Sequence, residues 1–173
     1  MAEGADSLRE ERALCTAGNR PYGSLVSNIS QARPASTAHL RVARPSRDLT
    51  LAETFWRQGF GMQVLWRSPA GSDHDLLMLG WPEAMWHLEL VDDPLTPPTP
   101  TDEDLLVLYL GTPADEAFLQ RVAEAGGQQV RSRNPYWDEW GLTFEDPDGY
   151  RVVLCHRTWS NAPALDLLPD REA

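Results

Sequence analysis

The stretch Trp140-Gly141-Leu142-Thr143-Phe144-Glu145-Asp146-Pro147-Asp148-Gly149-Tyr150 holds the most legible signal in the chain. Gly141 to Glu145 reads as a strand and Asp146-Pro147-Asp148-Gly149 as a turn. Proline presets one backbone angle, glycine takes conformations other residues avoid, and aspartate side chains bond their own neighbouring backbone. Tyr150 to Cys155 then reads as the returning strand of a hairpin. Upstream, Gln128 to Arg131 is a third strand, Pro113 to Ala125 an amphipathic helix closed by Gly126-Gly127, and Leu105 to Leu110 a buried strand. The N-terminal half repeats this order. His39 to Arg44 is a period-two strand ended by Pro45, with Leu40 and Val42 on a packing face and the alternate side chains facing a pocket. Asp48 caps a helix whose apolar positions Leu51, Phe55 and Trp56 recur until Gly59 and Gly61 stop it. Strands over Met62 to Arg67, Asp75 to Leu79 and Trp86 to Val91 follow, divided by Pro69-Ala70-Gly71-Ser72 and Gly80-Trp81-Pro82. A Pro-rich linker, Asp93 to Pro100, joins the halves. The expected class is α+β, two βαβββ modules forming a curved mixed sheet around a central cleft, with an internal duplication in its history.

With 173 residues and 42% apolar content, the chain is long enough for one well-cored domain and short for two. The expected organisation is a disordered tail over 1–36, a domain over 37–159 and a C-terminal tail over 160–173. A short amphipathic helix near Ser7 to Leu14, or an overlong gene start, is the alternative for the first segment. The formal charge of −11 disfavours nucleic acid and anionic membrane as partners and favours neutral or cationic ligands. All 15 basic residues are arginine, which excludes a lysine Schiff base or lysine general base. Cys15 falls in the polar tail and Cys155 in a core strand, so no disulfide framework or zinc knuckle is argued, and a reducing cytoplasm fits. No segment is read as a signal or a membrane span.

Asp48 to Gly61, with Phe55-Trp56 and Gly59-Phe60-Gly61, resembles the opening pattern of the vicinal-oxygen-chelate superfamily, and the stretch from Trp140 to Tyr150 is similar to its terminal hairpin in glyoxalase, bleomycin-resistance and extradiol-dioxygenase proteins. With His87-Leu88-Glu89-Leu90, these pieces span 38–158. Asn134-Pro135-Tyr136-Trp137 further resembles a bacterial subgroup of that superfamily with no established reaction. In metal-using members, the resemblance implies His or Glu ligands on the first and last strand of each half. Those positions fall here on Arg41, Glu89, Leu105 and either Val152 or Val153. A guanidinium has no lone pair to offer and leucine and valine no donor atom, so the usual metal set is reduced to one carboxylate. Glyoxalase and dioxygenase chemistry resting on that metal is thereby put in doubt.

Arg41 and Glu89 read either as an ion pair on adjacent strands or as a fork for a ligand carboxylate or carbonyl, with Arg41 standing where the metal stood. His87 and Glu89, two apart on one strand, share a face; with His39 they form an alternative divalent-metal set, against the plainer reading of an edge-strand histidine. His74 falls in a polar turn. Of the seven tryptophans, Trp56 and Trp86 are assigned to the core. Tyr136, Trp137 and Trp140 fall in a loop and read as a lid over the cleft or as a dimer contact, with Tyr109 as a further ligand-contacting side chain. The leading expectation is a cofactor-free binder that sequesters a small cationic or aromatic molecule, acting as a homodimer. The alternative is a lyase, isomerase or dioxygenase using Glu89 as acid or base, or a rearranged metal site. A third reading is an accessory domain whose cleft has collapsed around Leu105, Val107 and Val153.

Overall fold

The computed structural model describes residues 34–69, 72 and 75–161. Most of the N-terminal tail, with Cys15 and the Ser7–Leu14 helix, lies outside them, as do His74 and nearly all of the C-terminal tail. The compact unit begins at His39.

The first module is β1 (Leu40–Pro45), α1 (Leu49–Thr54) running into a π-helical turn (Phe55–Gly59), then β2 (Gln63–Arg67), β3 (Asp75–Gly80) and β4 (Trp86–Asp92). The second is β5 (Leu105–Tyr109), α2 (Glu116–Glu124), β6 (Gln128–Val130), α3 (Pro135–Trp140), β7 (Gly141–Glu145) and β8 (Arg151–Cys155). Each forms a four-stranded mixed sheet of the same topology, ordered β1-β4-β3-β2 and β5-β8-β7-β6, with the first strand parallel to the last. The expected α+β class and the two βαβββ modules are therefore present.

Helices of both modules pack into one core. Ala52, Phe55 and Trp56 lie on Leu77, Leu79, Leu88 and Leu90, and Val122, Phe144, Val152 and Leu154 complete the cluster. Each fully buried leucine contributes roughly 1.5–3 kcal/mol. The expected packing position Leu51 is exposed and Ala52 is buried in its place. The stripe that meets the sheet is Ala52, Phe55, Trp56 and Gly59, at helical spacing, and Leu51 falls on its flank. The π turn keeps Phe55, Trp56 and Phe60 in mutual contact at 5.0–5.1 Å between ring centroids.

Three other expectations change. Pro45 is the last residue of β1 rather than its stop, tolerated because β1 is an edge strand. Leu40, expected on a packing face, is 60% exposed at the strand's free start. The second helix begins at Glu116, three residues later than Pro113, because Asp115 caps it by accepting the Phe118 N–H at 2.7 Å.

The terminal hairpin forms as expected. The Asp146 N–H donates to the Tyr150 carbonyl at 2.8 Å and Gly149 takes φ +89°, a conformation open to glycine at little cost. Gly141 is required for another reason: a Cβ there would stand 2.5 Å from the Leu154 carbonyl oxygen. The turn also ties the modules together. Arg47 donates its backbone N–H to Asp148 at 2.8 Å and a guanidinium N–H to the Pro98 carbonyl at 2.9 Å, while the Arg44 guanidinium lies 4.4 Å over the Tyr150 ring.

Candidate functional site

Strand alternation gives each sheet two faces, one of them packed into the shared core. In the first module, Val42, Leu77, Leu79, Leu88 and Leu90 belong to the packed face. The register places Arg41 opposite His87, Ala43 opposite Glu89 and Met78 opposite Glu89, so Arg41, His87, Glu89 and Met78 share the other. Arg41 Nη1 lies 2.8 Å from Glu89 Oε2, the carboxylate buried and the guanidinium half exposed. His39, just before β1, places Nε2 2.7 Å from His87 Nδ1. Burial of His87, followed by the neighbouring positive charge of His39 and Arg41, lowers its pKa against the smaller opposing effect of Glu89. His87 is thereby held in its neutral form at pH 7.

The second module repeats this geometry with different chemistry. Leu105 stands opposite Arg151 and Val107 opposite Val153, so Leu105 and Val153 occupy the register positions of Arg41 and Glu89. Val152 lies with Leu154 on the face that joins the core cluster, so by register the position equivalent to Glu89 falls on Val153, which is also buried. Across these four positions only Glu89 has a metal donor, and Arg41 already engages it. Among the described residues, no group of three or more His, Cys, Asp or Glu side chains could hold a metal ion. His39 and His87 do meet, but Glu89 is turned to Arg41 and does not join them as a third ligand. The donor set does not fit a divalent cation.

The aromatic residues form a second group. The segment expected as a loop is a helix, α3, because Asn134 caps it by accepting the Tyr136 N–H and Pro135 starts it. Asp138 ties it to the preceding loop by accepting the Ser132 N–H at 2.9 Å. Trp137 meets Tyr109 edge-on at 6.5 Å and Tyr136 at 5.0 Å. Trp140 does not join them. It packs against His156 at 5.6 Å and lies under the Arg157 guanidinium at 4.6 Å. Trp159 does join: its indole stacks on Tyr109 at 5.6 Å with the rings 26° apart, and Arg157 donates to the Tyr136 hydroxyl at 3.2 Å. Sequence reasoning missed Trp159 and Arg157. Both follow the last strand, where no periodicity marks them, and the parallel pairing of β5 with β8 is what brings them beside Tyr109. A separate cleft of about 440 Å³, lined by Arg47, Asp48, Arg67, Asp75 and Asp92 among others, opens at the far end of the first sheet, and no candidate residue lines it.

Comparison with known proteins agrees with the two-module architecture. Residues 40–91 match the YycE-like N-terminal domain and residues 103–156 the YycE-like C-terminal domain. The chain is 34% identical over 120 residues to the YycE protein of Bacillus subtilis, covering 68% of this chain and 86% of the relative. The chain belongs to the YycE-like family. A crystal structure of a YycE protein of unknown function from Bacillus subtilis superposes with a TM-score of 0.65 at 31% identity, over 76% of this chain and all of that one. The antibiotic-binding protein TnmS3 from Streptomyces sp. CB03234 superposes with a TM-score of 0.51 at 26% identity, over 72% of this chain and all of that one. The fosfomycin-resistance protein FosX from Mesorhizobium loti shares the fold at 14% identity, with a TM-score of 0.53 over 73% of this chain and 94% of that one. These neighbours place the YycE-like chain in the vicinal-oxygen-chelate superfamily.

Proposed function

We propose that this YycE-like protein captures a small organic molecule without changing it. The observation that carries the reading is the Arg41–Glu89 ion pair at 2.8 Å, lying across the positions where related folds hold a metal, with Leu105 and Val153 at the equivalent register positions of the second module. A guanidinium there supplies forked N–H donors for a carboxylate or carbonyl oxygen in place of Lewis-acid chemistry. The ring cluster of Tyr109, Tyr136 and Trp137 supplies flat apolar surface for an aromatic body. TnmS3, an antibiotic-binding protein of similar architecture, lends support to the binder over the enzyme. The half-exposed Arg41 keeps its side of the site open, although Val153, one of the residues named for a collapsed cleft, is fully buried. In this reading the protein works in the cytoplasm as a homodimer.

One contact favours acid and base chemistry as a second reading. His39 and His87, 2.7 Å apart with His87 held neutral by burial, can pass a proton between them beside Glu89.

The deciding experiment combines a thermal-shift scan with magnesium, manganese, iron, nickel and zinc, metal analysis of protein purified without chelator, and calorimetric titration with planar aromatic acids and amines. The expected result is no metal-dependent rise in Tm, saturable binding, and bound compound recovered intact by mass spectrometry. Arg41→Ala is expected to weaken the binding of the aromatic acids about tenfold, as the loss of one charge-assisted hydrogen bond does. Stoichiometric metal that raises the Tm, or consumption of the compound over many turnovers, would replace this reading with the enzyme.

A further inference from the structure

We infer that the Trp159 indole is an internal stand-in for the ligand, and that Tyr109, walled by Trp137, is a slot for a planar bicyclic aromatic molecule that enters by displacing it. The inference rests on the capture reading and names its ligand class and gate. Tyr109 forms the floor of the slot, and Trp137 stands edge-on to it at 6.5 Å with Tyr136 behind at 5.0 Å. The occupant on that floor is the indole, stacked at 5.6 Å and 26°.

The indole is weakly held. Trp159 remains 69% exposed, and its Nε1–H donates to Asn161 of its own segment at 3.1 Å rather than to the sheet. Among the described residues, the aromatic pair with Tyr109 is the ring contact that holds it, and such a pair is a modest restraint. The floor and wall lie within the matched family domain, residues 103–156, whereas Trp159 lies beyond it. The slot thus belongs to the domain and its occupant to the segment that follows. That segment is brought to the slot by backbone pairing, since Leu110 donates to the Cys155 carbonyl at 2.7 Å and Gly111 to the Arg157 carbonyl at 3.1 Å.

Arg157 sets the expected substituent. Its guanidinium lies over Trp140 at 4.6 Å and gives one N–H to the Tyr136 hydroxyl. A guanidinium carries five N–H donors, so others remain to meet a carboxylate or carbonyl on the ring edge. The ligand class is a fused two-ring aromatic bearing such an oxygen.

The test uses the full chain and 2-naphthoate as probe, with cyclohexanecarboxylate as the non-aromatic control. Isothermal titration is run on the wild type, Trp159→Ala and Tyr109→Leu, each checked for folding by circular dichroism. The expected result is three- to tenfold tighter binding by Trp159→Ala, the range one displaced aromatic pair supplies, with little binding by Tyr109→Leu and none of the control. In protein labelled with 5-fluorotryptophan, the Trp159 resonance, assigned by its loss in Trp159→Ala, is expected to move toward its solvent-exposed position as naphthoate is added. Unchanged or weaker binding by Trp159→Ala, with the wild type still binding, overturns the displacement and leaves the capture reading standing. Failure of both proteins to bind naphthoate removes aromatic capture at this module and the inference with it.

Discussion

Asp146 is the residue whose setting departs most from what its turn sequence suggests. Its carboxylate is buried, and burial raises its pKa to about 6. The charge of Asp148 adds to the rise, and hydrogen bonds from the Tyr150 and Asp148 backbone together with Arg44 oppose it. A carboxyl whose folded pKa exceeds its unfolded value binds its proton more tightly in the native state. Its contribution to stability is then fully present below pH 3.8 and is lost as pH rises through about 6. Stability against urea is expected to increase by roughly 1–3 kcal/mol from this group as pH falls from 7 toward 4. Asp146→Asn keeps an oxygen for the Asp148 and Tyr150 N–H groups, both now 2.9 Å from Oδ1, and should flatten that slope. A slope that survives in Asp146→Asn would assign the pH dependence to another group. The turn is legible at Asp146-Pro147-Asp148-Gly149, but its surroundings are not, because Arg44, whose charge acts on Asp146, belongs to β1. Arg47, which bonds Asp148, is separated from it by 101 positions.

Among the elements, legibility followed how local the determining interaction is. The Asp48 cap was read from the sequence, and its Oδ1 accepts the Thr50 and Leu51 N–H groups at 2.9 and 3.0 Å. Because α1 has only six residues before the π turn, that cap satisfies a large share of its free donors. Asp48→Ala is expected to lower stability by about 0.5–2 kcal/mol in urea unfolding, with Asp48→Ser close to wild type. Equal stability of all three proteins would mean that packing of Phe55 and Trp56 alone fixes the helix. The helix α3 was read as a loop although its Asn134-Pro135 start is a cap sequence. Six residues carry too little periodicity to announce a helix, and α3 is stabilised by Asp138 reaching the Ser132 backbone as well as by its own turns. The face expected for α1 differs at Leu51, since the adjacent apolar pair Leu51-Ala52 leaves the stripe's phase open until a sheet lies beneath it.

At the scale of the molecule, β2 is an edge strand with all five residues exposed, among them Val64, Leu65 and Trp66. An apolar edge of this kind is usually covered, and a second copy is the expected cover. Sedimentation velocity should show a dimer, and Trp66→Arg should weaken it at least tenfold while leaving the circular dichroism spectrum unchanged. A wild-type protein that stays monomeric over the accessible concentration range would leave that edge for another partner. The sequence by itself determined the α+β class, the doubled order of elements and the terminal hairpin. These follow from turn chemistry and residue periodicity, both of which are local. Only the tertiary structure decided that Arg41 engages Glu89, that His39 meets His87, that Trp140 leaves the aromatic cluster and that Trp159 enters it. Each of these depends on which strands lie side by side and in what register, a choice made by the shared core rather than by any one stretch of chain.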